Sequence, residues 1–134
     1  MTLVIVPVRY PLTEHSHATV EKAIQVADEL DADLTVLHVN LYQASRHVSR
    51  ADLKATVERE FGRLPRARYV TRDGFLIEET ILDEVAAEGA DVVVIGRKQV
   101  SRWRRMVRTL IDDPDIEHFL NEKLDCKVIT ASTA

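Results

Sequence analysis

The chain is poor in the features that would place it outside the ordinary folded proteins. It has a single cysteine, Cys126, in 134 residues, so no disulfide can form within it, and one thiol fits a reducing compartment. Four glycines and four prolines are too few for a collagen-like or low-complexity chain. No stretch approaches the ~20 consecutive apolar residues of a membrane-spanning helix. The opening MTLVIVPVRYP is apolar but short, with neither a basic leader nor a small-residue cleavage site, so no signal peptide is expected. These absences point to a cytoplasmic protein without a membrane partner. A large charge excess is missing too. A formal net charge of −4 does not coat nucleic acid, so any electrostatic function belongs to a local patch.

What is present is globular in character: 46% hydrophobic and 30% charged residues, and a length that suits one domain over 1–134 with a real core. Leu3 to Val8 is apolar on both faces, as a strand buried on both sides would be; Pro7 within it marks the strand's end or a bulge. Thr13 or Ser16 can cap a helix in which Val20, Ala23, Ile24, Ala27 and Leu30 recur at helical spacing. Leu34 to Val39 is a second strand, followed by a polar connection from Asn40 to Ser49. Ser49 to Arg63 is predicted helical, with Leu53, Val57 and Phe61 four apart and Ser49 with Asp52 in the manner of a capping box. Ala67 to Thr71 is a third strand, flanked by Arg66, Arg68 and Arg72 and so expected near a sheet edge. Phe75 to Glu88 is a third helix, with Ile77, Ile81, Leu82 and Val85 inward and Gly89 as its C-cap. Asp91 to Gly96 is the fourth strand, Pro114 to Leu124 a last helix capped by Asp112 or Asp113, and Lys127 to Thr130 the fifth strand.

Alternating strands and helices imply right-handed βαβ units and an open parallel sheet sandwiched by helices. Ligands on such sheets sit beyond the carboxyl ends of strands, where the strand order switches. With the first and fourth strands as central neighbours, Arg9-Tyr10 and Gly96-Arg97 face one crevice.

The segment after Gly96 is the chain's sharpest irregularity. Arg97, Lys98, Arg102, Arg104, Arg105 and Arg108 crowd together, and no acid occurs from Val92 to Ile111. Trp103, Met106, Val107 and Leu110 keep helical spacing, so Ser101 to Ile111 is predicted as an amphipathic helix with its arginines outward. Two readings stay open: a surface for an anion, nucleic acid or protein partner, or a solvated basic helix paired with the acids that follow. Arg9 with Arg97 or Lys98 could hold a phosphate or carboxylate; alternatively these bases pair with Asp112, Asp113 or Asp115. His15 and His17 are two apart and do not share a helix face. With no other ligands at suitable spacing, a metal is not expected. His38 belongs to the core or the crevice, and Cys126 is read as a small packed residue. No Ser/His/Asp order, carboxylate pair or P-loop points to an enzyme.

Five segments resemble the universal stress protein (UspA-like) family: VIVPV at the first strand, TEHS at the first helix start, ADLTVLHV at the second strand, ADVVVIG at the fourth and DCKVITA at the end. The resemblance implies a Rossmann-like sheet of the adenine nucleotide alpha hydrolase type, order 3-2-1-4-5, and homodimerisation along the last strand. One branch of that family binds ATP through an Asp after the first strand and Gly-x2-Gly-x9-Gly-Ser/Thr after the fourth. There the glycines let backbone N–H groups approach the phosphates. Here Arg9 stands in the Asp position, Gly96 matches the first glycine and Gln99 replaces the second. Counted back from Cys126, Pro114-Asp115 replaces the Gly-Ser/Thr pair; counted forward, Thr109-Leu110 does. Pro114 removes a donor that a phosphate would use, and Asp113, Asp115 and Glu117 crowd the helix's positive end.

The expectation is therefore a non-enzymatic, homodimeric stress-response module, resembling the branch without the ATP motif, with a degenerate nucleotide site and no cofactor. Its dimer would form through Val128, Ile129 and Thr130, an otherwise open apolar edge. The alternative is a nucleotide- or anion-binding switch using Pro7, Arg9, Val39, Gly96, Arg97, Lys98 and Gln99. A third reading docks a partner or RNA on Arg102, Arg104, Arg105 and Arg108, although nucleic acid is not the expected partner.

Overall fold

A computed structural model describes residues 2–96 and 126–131 of the chain. The basic run from Arg97 to Arg108 and the helices expected over 101–111 and 114–124, with the acids near Pro114, lie outside the described residues.

The strands are β1 (Leu3–Pro7), β2 (Asp33–Leu41), β3 (Ala67–Gly74), β4 (Val92–Gly96) and β5 (Lys127–Ala131), and the helices are α1 (Glu14–Leu30), α2 (Arg50–Phe61) and α3 (Ile77–Glu88). All pairings are parallel and the order is β3-β2-β1-β4-β5, as the family resemblance implied. The unbroken apolar runs of β1 and β4 follow from this position. In β1, Val4 and Val6 pack into a core with Val20 and Ala23 of α1 and Leu53 and Val57 of α2. Ile5 faces the opposite core, with Ile81 and Val85 of α3. A strand with helices over both faces has no solvent side, so alternation disappears.

Helix starts follow local chemistry. Thr13 caps α1, its Oγ1 accepting from the Ser16 N–H at 3.2 Å, and Ser49 caps α2, its Oγ accepting from the Asp52 N–H at 3.1 Å. Gly89 closes α3 in the left-handed region, φ 62°, where glycine carries no side-chain clash.

Several boundaries differ from expectation. Pro7 is the last residue of β1, and Val8 adds one ladder bond beyond it, from its N–H to Leu37 O at 2.8 Å. Leu30, expected inward, is 47% exposed. The chain reverses at Asp31, in the left-handed region at φ 52°, and Ala32 takes the buried position after it. β2 runs on to Leu41 and β3 to Gly74 because the two pair in register to their ends, Asn40 with Asp73 and Leu41 with Gly74. Polar residues there continue a ladder instead of starting a turn. α2 stops at Phe61, ahead of the expected Arg63, since Gly62 at φ 77° breaks the helical path. α3 begins at Ile77, not Phe75: Leu76 is extended and supplies no side-chain cap, and Phe75 is 71% exposed. β4 starts at Val92 and β5 runs one residue further, to Ala131. β3 forms one edge of the sheet, as its flanking arginines suggested, and β5 the other. Among the described residues no helix is long and apolar enough to cross a membrane.

Candidate functional site

The carboxyl ends of the central strands open into a cleft of about 610 Å³. Its floor comes from the exits of β1 (Pro7, Val8, Arg9), β2 (Leu37, His38, Val39), β4 (Gly96) and β5 (Ala131). Its two walls are the first turns of α1 and α3, because in a parallel sheet the helix after each strand starts at that strand's carboxyl end.

The walls differ in character. Side chains alternate across the sheet, so Leu37 and Val39 join the core under α3. Ile77 and Ile81 stand over them on that side of the cleft. The α1 wall is polar, built from Thr13, His15, Ser16 and Thr19 with Ala18 between. Its hydroxyls are already engaged by their own helix. Thr13 Oγ1 accepts the capping bond and lies 3.2 Å from Ser16 Oγ. Thr19 Oγ1 donates to His15 O at 2.8 Å.

Two rings and a cation form the lip. His38 Nδ1 lies 3.0 Å from Val8 O. A carbonyl only accepts, so Nδ1 carries the proton, and in the neutral ring Nε2 is left as an acceptor. Tyr10 packs its ring edgewise on His38, centroids 6.2 Å apart, and the Tyr10–Pro11 peptide is cis. Arg9 is exposed at the mouth and makes no ion pair among the described residues. Its three expected acidic partners, Asp112, Asp113 and Asp115, fall outside them.

Of the residues singled out from the sequence, the fold gathers Pro7, Arg9, Val39 and Gly96 around this one cleft, while Arg97, Lys98, Gln99, Arg102, Arg104, Arg105 and Arg108 lie outside the described residues. Gly96 is not required by backbone strain, because its φ lies outside the left-handed region. A Cβ there would meet Thr19 Oγ1 at 3.4 Å, an ordinary contact. What glycine leaves open at that point is room between β4 and α1. Val128 and Ile129 are half-buried and Thr130 is exposed. The Val128 and Ile129 side chains turn to opposite faces of the sheet and pack on the two cores.

His15 lines the cleft, whereas His17 points to α2, where Nδ1 sits 2.9 Å from Glu60 Oε2 and the ring stacks on Phe61 at 4.6 Å. The two-residue spacing separates them as expected. Among the described residues no cluster of His, Cys, Asp or Glu could hold a metal ion. The sequence reading did not assign Ile77, Ile81, Thr19 or Ala131 to the site. The usable signal was topological: the helix that follows a strand starts at that strand's carboxyl end, the side on which the crevice opens.

A model of the universal stress protein family matches residues 2–111, and no curated protein matches the sequence. Three solved structures share the fold. A universal stress protein in complex with cAMP superposes with a TM-score of 0.61 at 15% identity, over 99% of this chain and 98% of that one. The universal stress protein UspA from Lactobacillus plantarum gives 0.62 at 18%, over 98% and 97%. A universal stress protein from Archaeoglobus fulgidus gives 0.64 at 16%, over 98% of this chain but 44% of that one. At such identities the likeness establishes the fold alone.

Proposed function

The chain belongs to the universal stress protein family, and on that premise we propose that it is a non-enzymatic stress-response module, one cytoplasmic domain that works as a homodimer. Its cleft is a regulatory ligand pocket, not an ATP site of the glycine-rich kind. The observation that carries this reading is the cleft over the ends of β1, β2 and β4, with Arg9 at its mouth. Gln99 in place of a glycine and Pro114-Asp115 in place of a Gly-Ser/Thr pair both work against a phosphate cradle. They substitute a side chain for backbone room, remove an N–H and add carboxylates. Among the described residues that line the cleft there is no carboxylate.

The second reading is a nucleotide- or anion-binding switch in the same cleft, favoured by one observation: a structural relative is a complex with cAMP. Docking of a partner on Arg102, Arg104, Arg105 and Arg108 is a further, separate possibility resting on sequence.

Thermal shift with ATP, AMP and cAMP separates the first two readings, because a ligand that binds only the folded state raises the melting temperature by mass action. The first reading expects no shift with millimolar ATP and magnesium. A shift of several degrees at micromolar ATP overturns it in favour of the switch. Sedimentation at micromolar concentration checks the assembly: a dimer is expected, and a monomer removes the homodimer from the proposal.

A further inference from the structure

The unequal walls of the cleft carry the reading further. On the α3 side, Pro7, Leu37, Val39, Ile77 and Ile81 offer no side-chain hydrogen-bonding group. On the α1 side, the hydroxyls of Thr13, Ser16 and Thr19 are engaged locally. The polar groups that face outward are concentrated at the lip. Among the described residues they are the Arg9 guanidinium, the Tyr10 hydroxyl and, with its Nδ1 held by Val8 O, His38 Nε2, with the His15 ring on the α1 wall. The volume, about 610 Å³, lies inside the range of roughly 300–1,000 Å³ typical of small-molecule sites.

A nucleotide needs partners along its whole length: base edge, sugar hydroxyls and phosphates. Groups left without partners in a protein site weaken binding strongly. Among its described lining residues, this cleft offers polar groups along the lip and the α1 wall and apolar surface on the α3 wall. From that asymmetry, and resting on the ligand-pocket reading above, we infer that the cleft takes a small amphipathic organic acid. Its apolar body lies against Pro7 and Ile77, the half-buried apolar residues of that side, and its single anionic head is held at the mouth by Arg9. Apolar contact supplies most of the affinity, and a charge-assisted bond to the guanidinium fixes the direction of entry. The body could be an acyl chain or an aromatic ring stacked near Tyr10 and His38; both present the same chemistry.

Calorimetric titration of the full chain tests this with decanoate, 3-phenylpropanoate, decanol and AMP, using wild type, Arg9→Gln and Ile77→Asn. At least one acid is expected to bind, and the tighter of the two identifies the body as chain or ring. Arg9→Gln should weaken that acid about tenfold or more, the loss of one charge-assisted bond, while decanol binding stays unchanged. Ile77→Asn should weaken acid and alcohol together. Arg9 is exposed, so Arg9→Gln is expected to fold and melt like wild type, which keeps the test valid even if Ile77→Asn does not fold. Equal acid binding by wild type and Arg9→Gln overturns the head assignment, and decanol binding as tightly as decanoate does the same. AMP binding without acid binding overturns this inference and leaves the ligand pocket standing. No binding by any of the four overturns both.

Discussion

Arg72 on β3 grips Glu84 on α3 with two hydrogen bonds, Nε to Oε2 at 2.8 Å and Nη2 to Oε1 at 3.2 Å. The Glu84 side chain is 6% exposed and that of Arg72 48%, so the two partners are not equivalent. Losing the arginine strands a carboxylate in the interior; losing the charge on the glutamate leaves a cation that water can still reach. Arg72→Met is expected to destabilise the fold by about 2–4 kcal/mol, and Glu84→Gln by about 1 kcal/mol. Urea unfolding midpoints at constant slope measure both, and equal costs for the two variants would contradict this account.

Tyr69 on β3 is 3% exposed under α2, and its hydroxyl finds no hydrogen-bond partner among the described residues. Burial, with the nearby Glu58 charge adding to it, pushes the phenol up to about 12. The folded chain therefore keeps a proton that the unfolded chain releases from its ordinary value near 10. This contribution to stability is complete below pH 10 and is lost as pH rises toward 12. Tyr69→Phe is expected to be neutral or stabilising by up to ~1 kcal/mol at pH 7, and to lose less stability than wild type between pH 10 and 12. Chemical denaturation of both proteins across that window reads the difference.

Asn40, 6% exposed on β2, holds both backbone groups of one residue in the connection to α2. Its Nδ2 donates to Val48 O at 2.9 Å, and its Oδ1 accepts from Val48 N–H at 2.8 Å. Asn40→Ala removes both bonds and should cost about 2–3 kcal/mol. Asn40→Asp keeps the acceptor and sets a second oxygen against a carbonyl, so it should fall no better. Limited proteolysis should cut the 42–49 connection faster in both variants. Unchanged cutting would show that the connection is held by other contacts.

Gly74 ends β3 with its backbone against α3. A Cβ built there would collide with Thr80 Oγ1, which is itself held by donation to Leu76 O at 2.7 Å. Gly74→Ala should cost about 1–3 kcal/mol through overpacking. Adding Thr80→Ala should return part of that loss. A double-mutant cycle in thermal unfolding isolates the pair, and purely additive losses would place the cause elsewhere.

Legibility in the sequence tracked how strongly each feature is expressed in one residue type. Val4, Val6 and Val92 to Ile95 announced central strands because burial on two faces demands apolar residues at every position. Thr13, Ser49 and Gly89 announced helix ends because capping chemistry is local. The ends of β2 and β3 were missed because Asn40 and Asp73 favour turns in isolation, and only pairing with a neighbour keeps them extended. The start of α3 was misplaced because Leu76 gives no cap signal. At the site, Arg9 and Gly96 were found through the strand exits, whereas Ile77 and Ile81, read as core, do pack there and border the cleft as well. An apolar residue at helical spacing looks the same whether a sheet or an open cleft lies beneath it.

The two borders of the sheet are differently guarded. Along β3, Arg68 binds Glu88 and Arg72 binds Glu84, so charged pairs to α3 flank that strand; β5 carries Val128 and Ile129 with a charge only at Lys127. A sheet that could be extended from either side would add copies head to tail and grow into a fibre. One that can be extended from a single side closes on itself after one partner. If the homodimer proposed above forms along β5, the charged border at β3 offers it no matching apolar side from which to grow further.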